Sequence, residues 1–140
     1  KIRGASVGAE VSSEEALSAT WVKLFIKQLG IKLTLSNRDH ALLVRYVWDM
    51  GHALAEVSRV LRCGGRAVYV VGDSTIRGTF ISNSSIVTAV AQKHGLSLVT
   101  SQSRTLPANR RYLPPPKKGH TNQAMDARMR REVVLEFNKP

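Results

Sequence analysis

The chain has 140 residues, 43% of them hydrophobic, enough for one domain with a core and short enough that losing a neighbouring layer would be felt. Twenty-one Lys and Arg against ten Asp and Glu give a net charge of +11, which suits a polyanion. A single cysteine, Cys63, excludes an internal disulfide, scattered His40, His52, His94 and His120 argue against structural zinc, and no run approaches the ~20 apolar residues of a membrane span. The expectation is a cytoplasmic protein with no membrane partner.

Lys1–Val11 reads as a basic, glycine-containing loop, and beginning at Lys1 rather than methionine the chain is expected to be a processed product or an excised piece. Ser12-Ser13-Glu14-Glu15 is a capping-box pattern. It predicts one helix carrying Leu17, Trp21, Leu24, Phe25 and Leu29 and stopping at Gly30. Leu43, Val47, Met50, Leu54, Val57 and Leu61 then repeat at intervals of four and three, which keeps them on one helical face. Ser36, Asn37 and Asp39 offer caps, and Arg59 and Arg62 suit the negative end of the dipole. A helix over Asn37–Arg62 would be roughly 39 Å long at ~1.5 Å per residue.

Cys63-Gly64-Gly65 breaks that helix. Arg66–Gly72 follows as an apolar run without alternation, which predicts a strand covered on both faces, as in parallel α/β sheets. Thr75–Phe80 reads as a polar connection. A third helix capped by Ser82 or Asn83 carries Ile86, Val87 and Val90 and ends at Gly95. Leu96–Thr105 and Glu132–Phe137 alternate and predict half-exposed strands. Between them lies a loop over about 106–131, containing Pro107 and Pro114-Pro115-Pro116. Long loops inside a domain are more often functional than filler. Residues 104–131 carry eight basic groups against Asp126 alone, whereas residues 1–103 carry twelve basic and seven acidic groups.

Ala55-Glu56-Val57-Ser58-Arg59-Val60-Leu61-Arg62-Cys63-Gly64-Gly65-Arg66-Ala67-Val68 resembles the E-x-x-R-V-L-x-x-G-G stretch of class I S-adenosylmethionine-dependent methyltransferases. Gly72-Asp73-Ser74 with Ile76-Arg77-Gly78 is similar to a strand end of the DNA, amino-methylating (N4-cytosine or N6-adenine) subgroup. So are Arg110-Arg111-Tyr112-Leu113-Pro114-Pro115 and Arg128-Met129-Arg130-Arg131-Glu132. The resemblance covers most of residues 40–140 and, more loosely, Lys1–Glu10. It implies an α/β fold: the C-terminal half of a Rossmann-like methyltransferase sheet, strands five to seven with the last antiparallel, flanked by helices, over a single partial domain, residues 1–140. The complete enzyme would use S-adenosylmethionine. This chain lacks the family's glycine-rich cofactor loop and its Pro-Pro-aromatic motif, since Pro115-Pro116 is followed by Lys117. Methyl transfer to an amine depends on positioning the nitrogen. Alone, therefore, the chain is expected to bind no cofactor and to be inactive.

Asp73 and Ser74, with Arg77, are candidates for the substrate pocket, at the strand end where open α/β sheets bind ligands. Asp73 and Ser74 serve equally well as caps of the next turn. Arg110, Arg111, Tyr112, Lys117 and Lys118, extended by Arg128 and Arg130, are candidates for clamping nucleic acid, DNA preferred over RNA, with Tyr112 stacking on a base. The alternative is a solvated proline-rich loop. The open edge of strand 66–72 is expected to pair with a second copy or with the missing half. Two rivals stay open: a non-catalytic dimerising or nucleic-acid-binding module derived from a methyltransferase, and an RNA or small-molecule methyltransferase half.

Overall fold

The computed structural model describes residues 14–28, 35–76, 79–106 and 131–140. Helices α1 (Glu14–Ser18) and α2 (Thr20–Gln28) replace the single helix predicted there. Ser18 Oγ donates to the Glu15 carbonyl at 2.9 Å, and this side-chain competition for a backbone acceptor accompanies the break at Ala19. Helix α3 (Asn37–Val60) starts where the cap residues allow. Ser36 Oγ accepts from the Asp39 amide at 3.2 Å and donates to Asp39 Oδ2 at 2.7 Å. Its stripe packs as the spacing requires: Leu43, Val47, Met50 and Leu54 are buried, and Val57 and Leu61 lie against the core.

The tryptophans join helices. Trp21 of α2 stacks on Trp48 of α3 with ring centroids 6.1 Å apart. A Cβ at Gly51 would come within 2.8 Å of the Trp21 ring, so only glycine admits the indole without rearrangement. His52 Nδ1 lies 3.1 Å from the Trp48 carbonyl, within reach of an N–H donated back along the helix.

The break after α3 needs both glycines. Gly64 adopts φ 75°. At Gly65 a Cβ would meet the Arg62 carbonyl at 2.7 Å. The turn is fastened to the end of the chain: Gly64 N donates to Lys139 O at 2.7 Å and Lys139 N to Gly65 O at 3.0 Å. Lys139 Nζ donates to the Ser58 and Leu61 carbonyls at 2.7 and 2.9 Å, satisfying orphan acceptors at the end of α3.

Strand β1 (Arg66–Val71) is followed by a small hairpin, β2 (Ser74–Ile76) with β3 (Thr79–Ile81), where the sequence predicted only a connection. Helix α4 (Asn83–Lys93) is capped by Ser82 and buries Ile86, Val87, Val90 and Ala91. Strands β4 (Ser97–Thr105) and β5 (Arg131–Asn138) complete a three-stranded sheet in the order β1-β5-β4. The last strand therefore sits in the middle, antiparallel to both neighbours. Its alternation is as predicted, with Leu135 and Phe137 buried. The opening loop, the Ser12 cap, the Gly30 stop and the body of the basic loop lie outside the described residues.

Two expectations about strands are overturned. β1 is not covered on both faces: Val68 and Val70 are 62% and 54% exposed, while Tyr69 faces the core and meets Phe137 edge-on. No other described strand pairs with its second edge. β4 does not keep the simple alternation of Leu96, Leu98 and Thr100, because a register shift between Leu98 and Thr100 places these two on opposite faces. Leu98 pairs with Phe137 and Thr100 with Glu136, and most of β4 beyond is exposed.

Candidate functional site

The end of β1 carries a polar cluster built from three segments. Asp73 Oδ1 accepts from both the backbone N–H and the hydroxyl of Ser84, each at 2.9 Å. Asn83 Nδ2 donates to the Gly72 carbonyl at 2.9 Å and to Ser74 Oγ at 3.1 Å. Ser82 Oγ lies 2.8 Å from Ser85 Oγ and accepts from the Ser85 amide at 3.4 Å. A carboxylate beside free amides at a helix N-terminus is favourable through hydrogen bonding and the dipole. Asp73 thus ties the end of β1 to the start of α4, as its capping reading requires.

Tyr46 of α3 lies near enough to Asp73 to feel its charge. Burial pushes its phenol above the usual range, and the negative charge of Asp73 adds to the effect. Its hydroxyl stays protonated at neutral pH. Sequence reasoning missed Tyr46, Asn83 and Ser84. Tyr46 lies three residues from Leu43 and four from Met50, beside the packing stripe, and nothing in its spacing marks it as part of a site. Asn83 was visible only as a possible cap.

The structure brings Asp73 and Ser74 together. Arg77, Arg110, Arg111, Tyr112, Lys117, Lys118, Arg128 and Arg130 lie outside the described residues. The cluster can donate and accept hydrogen bonds and presents one carboxylate whose Oδ1 is engaged. It holds no activated nucleophile, and among the described residues no His, Cys, Asp and Glu gather as a metal site. Nor do the described residues fit S-adenosylmethionine: none forms a glycine-rich strand-to-helix loop, and the first turn of α4 is occupied by Ser82 and Asp73.

A second feature lies between α2 and α4. A cleft of about 450 Å³ is lined by Trp21, Leu24, Phe25, Gln28, Ala89 and Lys93. Lys93 Nζ sits 5.4 Å from the Trp21 ring centre, within cation–π range. Beside it, burial first, then the charges of Lys93 and His52, hold the His94 imidazole below its ordinary pKa. Its Nε2 is buried without a hydrogen-bond partner. No helix of the described residues is long and apolar enough to cross a membrane.

No protein-family model matches the sequence, and no curated protein matches it. The fold is similar to a crystal structure of a proposed DNA modification methylase from Thermus thermophilus, with a TM-score of 0.50, 22% sequence identity and 68% of this chain covered. A structure of the same protein complexed with S-adenosyl-L-methionine gives 0.49, again at 22% identity and 68% coverage. The matched part is 37% of that protein's length. The chain therefore has an α/β fold, a small antiparallel sheet with helices, similar to part of a DNA modification methylase.

Proposed function

We propose that the chain provides strands five, six and seven of a class I methyltransferase sheet, as its C-terminal half, with β1, β4 and β5 in those places. The complete enzyme would transfer a methyl group from S-adenosylmethionine to nucleic acid, to exocyclic amino groups of DNA bases. One observation carries the reading: the last strand lies between the two earlier ones and runs against both. The motif resemblance implies such a last strand, and the solved methylase shares the fold. On this reading Asp73, Ser74 and Arg77 border the substrate pocket, and the basic segment around Arg110, Arg111, Tyr112, Lys117, Lys118, Arg128 and Arg130 holds the nucleic-acid backbone. The free edge of strand 66–72 pairs with the remaining half or with a second copy.

Calorimetric titration of S-adenosylmethionine into residues 1–140 is expected to show no binding, and tight binding would overturn the division of labour. In the longest gene product containing these residues, labelled methyl transfer to duplex DNA is expected. Cofactor binding with no transfer to any nucleic acid would leave the non-catalytic module as the better reading. That rival is supported by the engagement of Asp73 with Ser84, which gives one oxygen of the carboxylate a structural occupation.

A further inference from the structure

Beyond Leu98 the β4–β5 pair runs on as a ribbon on which Ser101, Gln102, Ser103, Arg104, Thr105 and Arg131 are all exposed. Its two faces differ in charge. Thr100, Gln102 and Arg104 pair with Glu136, Val134 and Glu132, so both carboxylates of β5 fall on that face. There they are neutralised: Arg66 bonds Glu136 at 2.8 Å and Arg104 bonds Glu132. On the other face, the core side of the sheet, Ser101, Ser103 and Thr105 pair with Leu135, Val133 and Arg131; Leu135 and Val133 belong to the core packing, the three hydroxyl residues and Arg131 stay exposed beyond it, and none of the six is acidic. Three hydroxyls repeat every second residue, about 6.8 Å apart, and Arg131 stands beside the last.

We infer that the exposed border of this face, the three β4 hydroxyls with Arg131, docks a nucleic-acid backbone. Serine and threonine hydroxyls and arginine are common phosphate contacts, and they position the backbone without reading bases. Charge complementarity selects the occupant: the ribbon leads directly into residues 104–131, whose eight basic groups face one acidic residue. A polyanion meets donors and positive charge here, whereas on the opposite face it would meet two carboxylates already held by arginines. The inference rests on the nucleic-acid reading above and assigns it a surface separate from the loop residues.

The test compares neighbouring residues on opposite faces. Ser103→Asp and Gln102→Asp introduce the same charge one position apart, both on exposed strand surface. Fluorescence anisotropy of the whole chain with a labelled mixed-sequence DNA duplex, across a salt series, should show Ser103→Asp weakening binding about tenfold and Gln102→Asp by less than about twofold. Arg131→Gln should make the salt dependence shallower by about one counterion. Equal weakening by both aspartates, or by neither, would overturn the docking face while leaving nucleic-acid binding intact. A wild-type chain that binds no duplex sinks both readings. Binding to vesicles containing phosphatidylserine, equally sensitive to Ser103→Asp and not competed by duplex, would make a membrane surface the partner and overturn the inference.

Discussion

β1 and β4 flank the same strand, run in the same direction and are both outermost among the described residues, yet they are built differently. β1 is short and regular, pairing Arg66–Val71 with Asn138–Val133 without interruption. It leaves Val68 and Val70 exposed on the face away from the helices. β4 is longer, carries a register shift near its start where Leu98 and Val99 are also exposed, and beyond that shift shows serine, threonine, glutamine and arginine to solvent. Natural sheets protect true edges with bulges and polar or charged side chains, because unpaired N–H and C=O groups recruit other strands. By that criterion β4 is finished as an edge and β1 is not. The sheet teaches that an edge's chemistry, and not its position alone, tells whether it meets water or another strand.

The largest expected effect removes what both edges share. Phe137 is fully buried, meets Tyr69 of β1 and pairs with Leu98 of β4. Phe137→Ala should cost about 3–5 kcal/mol in chemical denaturation. Both outer strands should lose protection together, and loss confined to one would break the picture of β5 as a common support. Lys139→Met should cost less, about 1.5–3 kcal/mol, by removing two hydrogen bonds from a charged group to the end of α3. Hydrogen exchange should then rise first at β1, whose start is strapped to Lys139, and only later at β4.

The comparison is sharpest in solution behaviour. Val68→Lys combined with Val70→Lys should change stability by no more than about 0.5 kcal/mol, since both side chains are already exposed. If strand 66–72 pairs with a second copy as proposed, the double variant should abolish concentration-dependent association in sedimentation, whereas Gln102→Lys on β4 should leave association unchanged. The reverse pattern would assign the sticky edge to β4. The smallest effect concerns the turn into β4. His94 has its pKa lowered from 6.5 in the folded chain, so the unfolded chain binds the proton more readily. Its contribution to stability is present above that value and is lost as the pH falls through the depressed folded one. His94→Gln should flatten the acid side of the stability profile, and an unchanged profile would show that the ring does not matter there.

Much of this chain is legible without coordinates wherever the information is local. The α3 stripe, the Ser36 cap, the glycine break and the alternation of β5 all follow from contacts one to four residues apart. The cluster at the end of β1 was half legible. Asp73 and Ser74 stood out by type and place, but joining Asp73 to Ser84 spans eleven residues and needed the hairpin between them. Tyr46 could not be singled out, because a half-buried tyrosine beside a packing stripe resembles any other.

Periodicity by itself determined which side chains share a face and where helices start and stop, because backbone geometry repeats every 3.6 or 2 residues whatever surrounds it. Only the tertiary structure decided what each face meets. Residues 67–71 carry no charged side chain, yet a layer of helices reaches them from one side alone among the described residues. One register shift in β4 re-aims the residues after Leu98. The last strand enters between two strands laid down earlier, bonded to β1 across some seventy positions and to β4 across some thirty. Such pairings depend on where the chain returns in space, which no local repeat encodes.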